Sequence, residues 1–339
     1  MSVRPRVPCP ANPALMWAFE KHMPEWNKKG LVFETARHGV GGWMRHSALT
    51  PTPYRLDDES IRVYAGFRDA DGVSRIGYVD VSADDPTTIV RVSADPVLDI
   101  GRDGCFDDHG VILGDVVDAP GGLHMFYVGF QRVAKAKFLA FTGLAVSRDG
   151  GEHFERVQET PILDRAPGRS TIGAVHSVIH EDGRWRFWYA VGDDWEIIEG
   201  RPFPRYHIRY AQTDDPTSLP REDSVCLLPR GSEYRIGRPR VYRRGGKYVM
   251  YFTRGNTTGE YFPGFASSDD GIHWARQDES LGLALSRTGW DSRVICYPAL
   301  IRQHDRVLMF YNGNDMGVDG FGVAETSAAH FDGEADVRG

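Results

Sequence analysis

One strand-like pattern recurs five times along the chain, and this repeat constrains the fold more than any other feature. Each copy combines β-branched and aromatic residues around one tyrosine and has Gly or Asn at or near its end. The copies are IRVYAGF, LHMFYVGF, WRFWYAVG, YVMYFTRGN and VLMFYNGN. Their tyrosines, Tyr64, Tyr127, Tyr189, Tyr251 and Tyr311, are spaced by 63, 62, 62 and 60 residues. A fixed period of this length indicates a fold built from repeated structural units.

Each copy belongs to a unit of three or four antiparallel strands. A strand-like segment precedes it, as in GVILGDVV or PRVYRRGG, and a third follows, as in GLAVSRDGG or GFASSDDG. Four units continue into a fourth segment such as HFERVQ. Five such units predict an all-β fold, a five-bladed β-propeller. A β-sandwich would not require one motif at constant spacing.

The repeat also sets the expected domain limits. We expect an N-terminal extension over 1–29, a single propeller domain over 30–327 and a polar tail over 328–339. The fifth unit lacks an outer strand, and GLVFET at 30–35 has the composition to supply it. We therefore expect this N-terminal strand to close the ring, which would remove an exposed sheet edge.

Charge and composition exclude several classes of protein. The net charge of −7 argues against a nucleic-acid-binding protein, which needs clustered Lys and Arg. No apolar run approaches the roughly 18 residues of a membrane span, and we expect a cytoplasmic protein without a membrane partner. The four cysteines lack CxxC spacing and are expected to be free thiols: Cys9, Cys105, Cys226 and Cys296.

Polar residues gather where the first strand of each unit begins, which in a propeller is the mouth of the central channel. Alignment of the five first strands places five residues at equivalent positions: His46, His109, His176, Arg238 and Tyr297. Neighbouring candidates are Arg45, Arg235 and Arg293. The loops after the second strands add Arg68, Gln131, Asp193, Trp195 and Asn312. The alternative is that some of these groups only cap strand ends and satisfy one another.

Three histidines at one repeat position raise the question of a metal. Three imidazoles and a water form a known zinc site, but the nitrogens must lie about 2.0–2.1 Å from one ion. Residues on three blades are expected to stand too far apart, so we predict no metal and no cofactor. Hydrogen bonding to substrate and proton transfer are the expected roles of the histidines.

The chain resembles the five-bladed propeller glycosidases, which include arabinanases, β-xylosidases, invertases and the mannoside phosphorylases of glycoside hydrolase family 130. The resemblance rests on the repeat, on RPRVYRRGGKYVMYF and on WDSRVICYPALIRQHDRVLMFYNGN. It implies acid/base chemistry by carboxylates at the strand mouths. GCFDDHGV resembles the acidic motif of the second blade, which makes Asp107 or Asp108 a catalytic candidate.

The chain departs from that family at two positions. Blade one has Arg45 and His46 where many of these hydrolases carry a base aspartate. Blade four has Gly237 and Arg238 where a glutamate is expected beside the proline, so Glu233 and Asp291 are the remaining catalytic candidates.

These observations favour a carbohydrate-active enzyme of the glycosidase or glycoside phosphorylase type. Its substrate would be a small molecule or an oligosaccharide, and the Arg and His residues suit an anionic substrate or phosphate as a second substrate. Two alternatives remain open. One is a biosynthetic enzyme that catalyses cyclisation, elimination or group transfer on a small polar metabolite, and the other is a non-catalytic sugar-binding propeller. The sequence does not indicate an oligomeric state.

Overall fold

A computed structural model describes residues 24–258 and 261–331, and almost all of its regular structure is β. The strands are β1 (Asn27–Phe33), β2 (His46–Arg55), β3 (Ser60–Arg68), β4 (Ser74–Ser82), β5 (Ile89–Val92), β6 (Val111–Ala119), β7 (Gly122–Val133), β8 (Ala136–Ser147), β9 (Glu155–Arg156), β10 (Ile172–Glu181), β11 (Arg184–Ile198), β12 (Arg201–Thr213), β13 (Ser224–Leu227), β14 (Glu233–Arg244), β15 (Lys247–Asn256), β16 (Tyr261–Ser268), β17 (Ala275–Arg276), β18 (Cys296–Gln303), β19 (Arg306–Asn312) and β20 (Phe321–Ser327). Short helical turns lie at Thr35–His38, Asp278–Leu281, Asn314–Gly317 and Ala328–Phe331.

The strands pair in five consecutive antiparallel groups of four. Groups one to four are β2–β5, β6–β9, β10–β13 and β14–β17. Group five is β18–β19–β20, and its fourth strand is β1 from the other end of the sequence. The segment expected at 30–35 thus pairs with β20, although the strand begins three residues earlier, at Asn27. In every group the second strand carries the tyrosine of the repeat, fully buried between neighbouring strands.

The first strands of the groups lie next to one another in a closed succession. β2 contacts β6, β6 contacts β10, β10 contacts β14, β14 contacts β18, and β18 contacts β2. Buried polar side chains join them. Asn312 donates to the carbonyl oxygens of Ala48 (2.8 Å) and Gly320 (2.7 Å) and accepts from the backbone N–H of Thr50. These bonds tie the fifth group to the first, and the Asn312 side chain is fully buried.

A buried ion pair holds groups two, three and four together. Arg240 on β14 donates to Asp115 on β6 (2.8 Å) and to the carbonyl oxygen of His176 on β10 (3.1 Å). Asp115 also accepts the backbone N–H of Val178 on β10 (2.6 Å). Because both charged groups are almost fully buried and hydrogen-bonded, the pair fixes the relative positions of three first strands.

The core is divided into clusters that lie between adjacent groups rather than in one centre. Cys105, Cys226 and Cys296 are free, as predicted, and Cys9 lies outside the described residues. Among the described residues, no helix combines the length and apolar character that a membrane crossing requires.

Candidate functional site

A cavity of about 500 Å³ lies where the first strands begin, and all five groups contribute to its lining. The first and second strands of each group supply most of the lining residues. The long hairpins β7–β8 and β11–β12 add Phe138, Ile198 and Phe203, because both hairpins extend beyond the rest of their groups. The cavity therefore has a floor of first strands and a side formed by two hairpins.

Bulges in the first strands place side chains in the cavity. The pairing shifts at Leu49/Thr52, Leu113/Asp115, Val175/Ser177, Gly237/Arg240 and Cys296/Ala299. The inserted residues include Thr50, Gly114, His176, Arg238 and Tyr297. Four of these five, all except Gly114, line the cavity. A bulge redirects a side chain, which explains why these positions reach a shared space.

These bulges correct the repeat alignment for two groups. His176, Arg238 and Tyr297 are structurally equivalent, as aligned from the sequence. In groups one and two, however, the equivalent residues are Thr50 and Gly114, so the alignment at His46 and His109 was wrong. The signal that would have corrected group one is the dipeptide Thr-Pro, which matches Arg-Pro and Tyr-Pro in groups four and five.

Three of the bulge residues have a strained backbone. Thr50, Arg238 and Tyr297 have φ values of 58°, 54° and 57°, and each precedes a proline. Residues other than glycine rarely adopt this left-handed conformation, and for β-branched Thr50 it is an outlier. Strain of this kind collects where side chains are held for a function, and all three residues line the cavity.

The cavity is cationic. Its lining contains Arg68, Arg132, Lys137, Arg235 and Arg238 but no Asp, Glu, Asn or Gln. Within residues 24–258 and 261–331, none of these five cations has a carboxylate at ion-pair distance. Burial of a cation without an anion is costly, and a bound anion would remove that cost. The charge of the site therefore predicts an anionic ligand.

Arg238 and His176 form the deepest polar pair of the cavity. The Nη1 group of Arg238 donates to the carbonyl oxygen of Leu113 (2.7 Å) and to Nδ1 of His176 (2.8 Å). Burial lowers the pKa of Arg238 to about 9, so its guanidinium stays charged near neutral pH. Burial and the charges of Arg238 and Arg240 lower the pKa of His176 well below its usual value. His176 is thus neutral at pH 7, with its proton on Nε2 as a hydrogen-bond donor.

Tyrosine rings surround the second deep arginine. The guanidinium carbon of Arg235 lies 4.4 Å from the ring centre of Tyr261, 4.7 Å from that of Tyr234 and 6.0 Å from that of Tyr206. The guanidinium of Arg238 stands over Tyr297 at 5.3 Å. Burial raises the pKa of both Tyr261 and Tyr297, so their hydroxyls remain protonated donors. Aromatic faces hold the guanidinium groups without neutralising them.

His109 and Asp108 form a carboxylate–imidazole pair at the cavity rim. Oδ1 of Asp108 contacts Nδ1 of His109, and Oδ2 accepts the backbone N–H of Gly104 (3.0 Å). His109 lines the cavity and its side chain is 41% exposed, whereas that of Asp108 is only 11% exposed. With Nδ1 bonded to the carboxylate, Nε2 is the nitrogen that can exchange a proton with a ligand.

None of the four predicted carboxylates lines the cavity, and the three besides Asp108 are paired with cations. Asp107 accepts from Arg156 (2.8 Å) and from the hydroxyl of Tyr127 (3.1 Å). Asp291 accepts from Lys28 (2.5 Å) and from the hydroxyl of Tyr311 (2.9 Å). In both groups, a repeat tyrosine and a cation of the group's own fourth strand satisfy the carboxylate.

Glu233 is likewise held by a cation from the fourth strand of its own group, group four. It accepts from Arg276 on β17 at 2.5 and 2.8 Å, and from Arg254 at 3.1 Å. Burial alone would raise the pKa of Glu233, but the hydrogen bonds from Arg276 and from the backbone of Arg230 outweigh it and lower the pKa. A carboxylate held ionised in this way is poorly suited to donate a proton.

The structure brings six of the predicted binding residues together around the cavity: Arg68, His109, His176, Arg235, Arg238 and Tyr297. Seven others are not among its lining residues: Arg45, His46, Gln131, Asp193, Trp195, Arg293 and Asn312. Asn312 is committed to β2 as described above. Arg293 pairs with Asp315 at the surface (2.8 Å), and His46 hydrogen-bonds with Ser47 (3.1 Å).

Sequence reasoning missed several lining residues on the long hairpins and on β14. They are Arg132, Lys137, Tyr206 and Tyr234. The positive charges at 132–137 and the tyrosine at 206 lie outside the repeat, so only the unusual length of these hairpins could have indicated them. Within the described ranges, no three His, Cys, Asp or Glu side chains stand close enough to form a metal site.

Comparison with known structures identifies the fold. A glycoside hydrolase superposes with a TM-score of 0.70 at 17% identity, over 93% of this chain and 95% of the other. A glycosyl hydrolase from Bacteroides ovatus gives 0.64 at 15% identity, over 91% and 95%. A member of the GH130 family of mannoside phosphorylases, which contains glycoside hydrolases that target β-1,2 mannosidic linkages in Candida mannan, gives 0.63 at 15% identity, over 91% and 95%. The chain thus shares its fold with these glycoside hydrolases, and the predicted resemblance is confirmed at the level of the fold.

Sequence comparison identifies the family. No family model matches the chain. The uncharacterized proteins Rv1502 and MT1551, from two strains of Mycobacterium tuberculosis, are each 32% identical to it over 301 residues, which are 88% of this chain and 98% of each relative. The chain therefore belongs to the family of the mycobacterial proteins Rv1502 and MT1551.

Proposed function

We propose that this protein is a carbohydrate-active enzyme of the glycosidase or glycoside phosphorylase type that binds an anion in the central cavity. The observation that carries the proposal is the cationic lining without a carboxylate, in a fold shared with glycoside hydrolases. The anion would be either a charged group of the substrate or phosphate as a second substrate. Arginine suits both, because its planar fork binds carboxylate and phosphate oxygens in pairs.

We infer that the five strand groups are the blades of one ring. The closed succession of first-strand contacts supports this, because β18 of the last group touches β2 of the first. The pairing of β1 with β20 supports closure of the ring by the N-terminal strand. In this arrangement the cavity is the mouth of the central channel.

His109 is proposed as the proton donor and acceptor, with Asp108 as the residue that positions it. Asp108 fixes the ring through Nδ1, which leaves Nε2 as the nitrogen for proton transfer, and His109 lines the cavity. In phosphorolysis, a phosphate oxygen held by Arg238 and Arg235 would attack the anomeric carbon while protonated His109 gives its proton to the leaving oxygen. The glycosidic C–O bond breaks, a new C–O bond joins the anomeric carbon to the phosphate, and a sugar phosphate leaves. In hydrolysis, water attacks in place of phosphate and loses a proton to bulk water, while His109 protonates the leaving oxygen.

The test is a screen of nitrophenyl glycosides and oligosaccharides with and without inorganic phosphate, with products separated by anion-exchange chromatography. A sugar phosphate that forms only with phosphate indicates phosphorolysis. In an active assay, His109→Gln should lower turnover by about two orders of magnitude or more. His153→Gln is the matched control, because His153 makes a similar pair with Asp149 (2.8 Å) but is 77% exposed on an outer turn. Equal losses in both variants would refute the role of His109.

A specific observation favours a second candidate, a sugar-binding propeller without catalysis. Asp107, Glu233 and Asp291 are all engaged in ion pairs, so the carboxylate pair of a standard hydrolase is not available in the cavity. This candidate predicts ligand binding that depends on Arg238 but no turnover of any glycoside. Proton transfer by His109 would also suit an elimination or group transfer, in which case the screen would yield a product other than free sugar or sugar phosphate.

A further inference from the structure

We propose that the cavity takes an amphiphilic anion, a phosphate or carboxylate attached to a hydrocarbon or aryl group, rather than a wholly polar sugar. This inference rests on the proposed function in using the same cavity and refines its substrate class. Cationic and apolar side chains line different parts of the cavity. We name them the arginine wall, formed by Arg68, Arg235 and Arg238, and the apolar wall, formed by Ile112, Phe130, Phe138, Ile172, Ile198 and Phe203.

The arginine wall lies on groups four and one. The guanidinium of Arg238 stands over the Tyr297 ring at 5.3 Å, and that of Arg235 over the Tyr261 ring at 4.4 Å. The ring centres of these two tyrosines are 6.3 Å apart, and Arg68 lines the same cavity. Three partly buried guanidinium groups on one cavity favour an anion there, since their charges add.

The apolar wall lies on groups two and three. Val128, Ala140, Ile172, Ala174 and Ala190 form a core cluster of their own, and Ile112, Phe130 and Phe138 pack against it while remaining partly exposed to the cavity. Phe130 and Phe138 meet edge to face with ring centres 5.2 Å apart. An apolar surface inside a cavity binds hydrocarbon, because each buried methylene contributes about 0.8 kcal/mol.

The polar side chains that line the cavity argue against a wholly polar sugar as its ligand. Sugar hydroxyls both donate and accept hydrogen bonds, and Asp, Glu, Asn and Gln are the side chains with most acceptor capacity. None of them lines the described cavity. Among the described lining residues, uncharged side-chain oxygens come only from the hydroxyls of tyrosines and of Thr50, Ser74 and Thr253. A ligand with an anionic end and an apolar body matches both walls, whereas a neutral sugar leaves the arginine charges without an anion.

Titration calorimetry with four probes tests the inference: inorganic phosphate, hexyl phosphate, glucose 6-phosphate and hexyl β-D-glucoside. We expect hexyl phosphate to bind at least about tenfold more tightly than each of the other three, from partial burial of its chain. Arg238→Gln and Arg235→Gln should weaken hexyl phosphate and inorganic phosphate by a similar factor. Phe138→Ser and Ile198→Ser should weaken hexyl phosphate alone. Arg148→Gln, a surface change, should alter neither.

Hexyl phosphate that binds no better than inorganic phosphate would overturn the inference. Phe138→Ser and Ile198→Ser variants that fold and keep full hexyl phosphate affinity would also overturn it. Glucose 6-phosphate as the tightest ligand would also overturn it and would favour a polar sugar phosphate. The proposed function fails separately, if hexyl phosphate binds as expected and no glycoside is turned over. Turnover without any preference for the apolar probe would retain the function and remove the inference.

Discussion

Asp107 and Asp108 are adjacent carboxylates whose replacement should have opposite consequences. The side chain of Asp107 is 1% exposed and pairs with Arg156, which is 22% exposed. Breaking a fully buried pair costs about 3–5 kcal/mol. Arg156 is partly solvated and keeps a bond to the carbonyl oxygen of Asp99, and an asparagine can still accept from Tyr127. We therefore expect Asp107→Asn to lower the free energy of unfolding by about 2–3 kcal/mol.

Asp108→Asn should leave stability nearly unchanged and lower turnover. Its carboxylate positions His109 at the cavity rim, and positioned acid/base groups contribute about 10²–10⁴-fold to rate. Urea denaturation of both variants, with the slope of each transition compared with wild type, gives the stability term. The same preparations are then assayed with the substrate found in the glycoside screen. An Asp107→Asn variant with wild-type stability and strongly reduced turnover would refute the assignment and return Asp107 to the chemistry.

Three further predictions concern stability. Burial would raise the pKa of Glu152, but hydrogen bonds from Tyr78 and two arginines lower it to about 2. The contribution of the ionised Glu152 to stability should be lost as pH falls from about 4.5 towards 2. Glu152→Gln should flatten that part of a stability–pH profile. Gly143→Ala should lower the free energy of unfolding, measured by urea titration, by about 1–3 kcal/mol, because a Cβ there would lie 2.3 Å from the Tyr127 ring. Gly42→Ala is the control and should leave stability nearly unchanged, because a Cβ there has nothing within 4 Å. Deletion of residues 1–36 removes β1 and exposes the edge of β20, so thermal melting should occur well below that of the full chain; equal melting would show that β1 does not hold the ring together.

The strand repeat was predictable because burial acts on it directly. Each repeat tyrosine must lie inside, so its period is visible in the sequence, and the turns between strands are marked by glycine and aspartate. The site was less predictable because bulges, rather than spacing, decide which side chains reach the cavity. His176, Arg238 and Tyr297 share their bulge position and were aligned correctly, whereas the bulges of groups one and two fall at Thr50 and Gly114.

The carboxylates show what a motif resemblance leaves out. Asp107, Glu233 and Asp291 precede or begin first strands, where the glycosidase resemblance places catalytic acids. Each instead meets a cation from the fourth strand of its own group: Arg156, Arg276 or Lys28. These cations lie 49, 43 and 263 residues away in sequence. A sequence motif shows the carboxylate alone, and only the fold shows that it is paired with a cation.

The ion-paired carboxylates and the cavity residues are different groups, and this affects which positions can be substituted. In groups two, four and five, the carboxylates that bind the fourth strand are separate from the residues at the bulges, so changes at the bulges need not weaken the groups. We expect that Thr50, His176, Arg238 and Tyr297 can be replaced to alter ligand preference while the framework is kept. Gly114 differs, because a Cβ there would lie 2.2 Å from the carbonyl oxygen of Val175. Replacing Arg238 by a neutral residue should therefore weaken anion binding with little effect on the urea midpoint, whereas Gly114→Ala should lower that midpoint. The reverse pattern would show that the bulges serve the framework rather than the ligand.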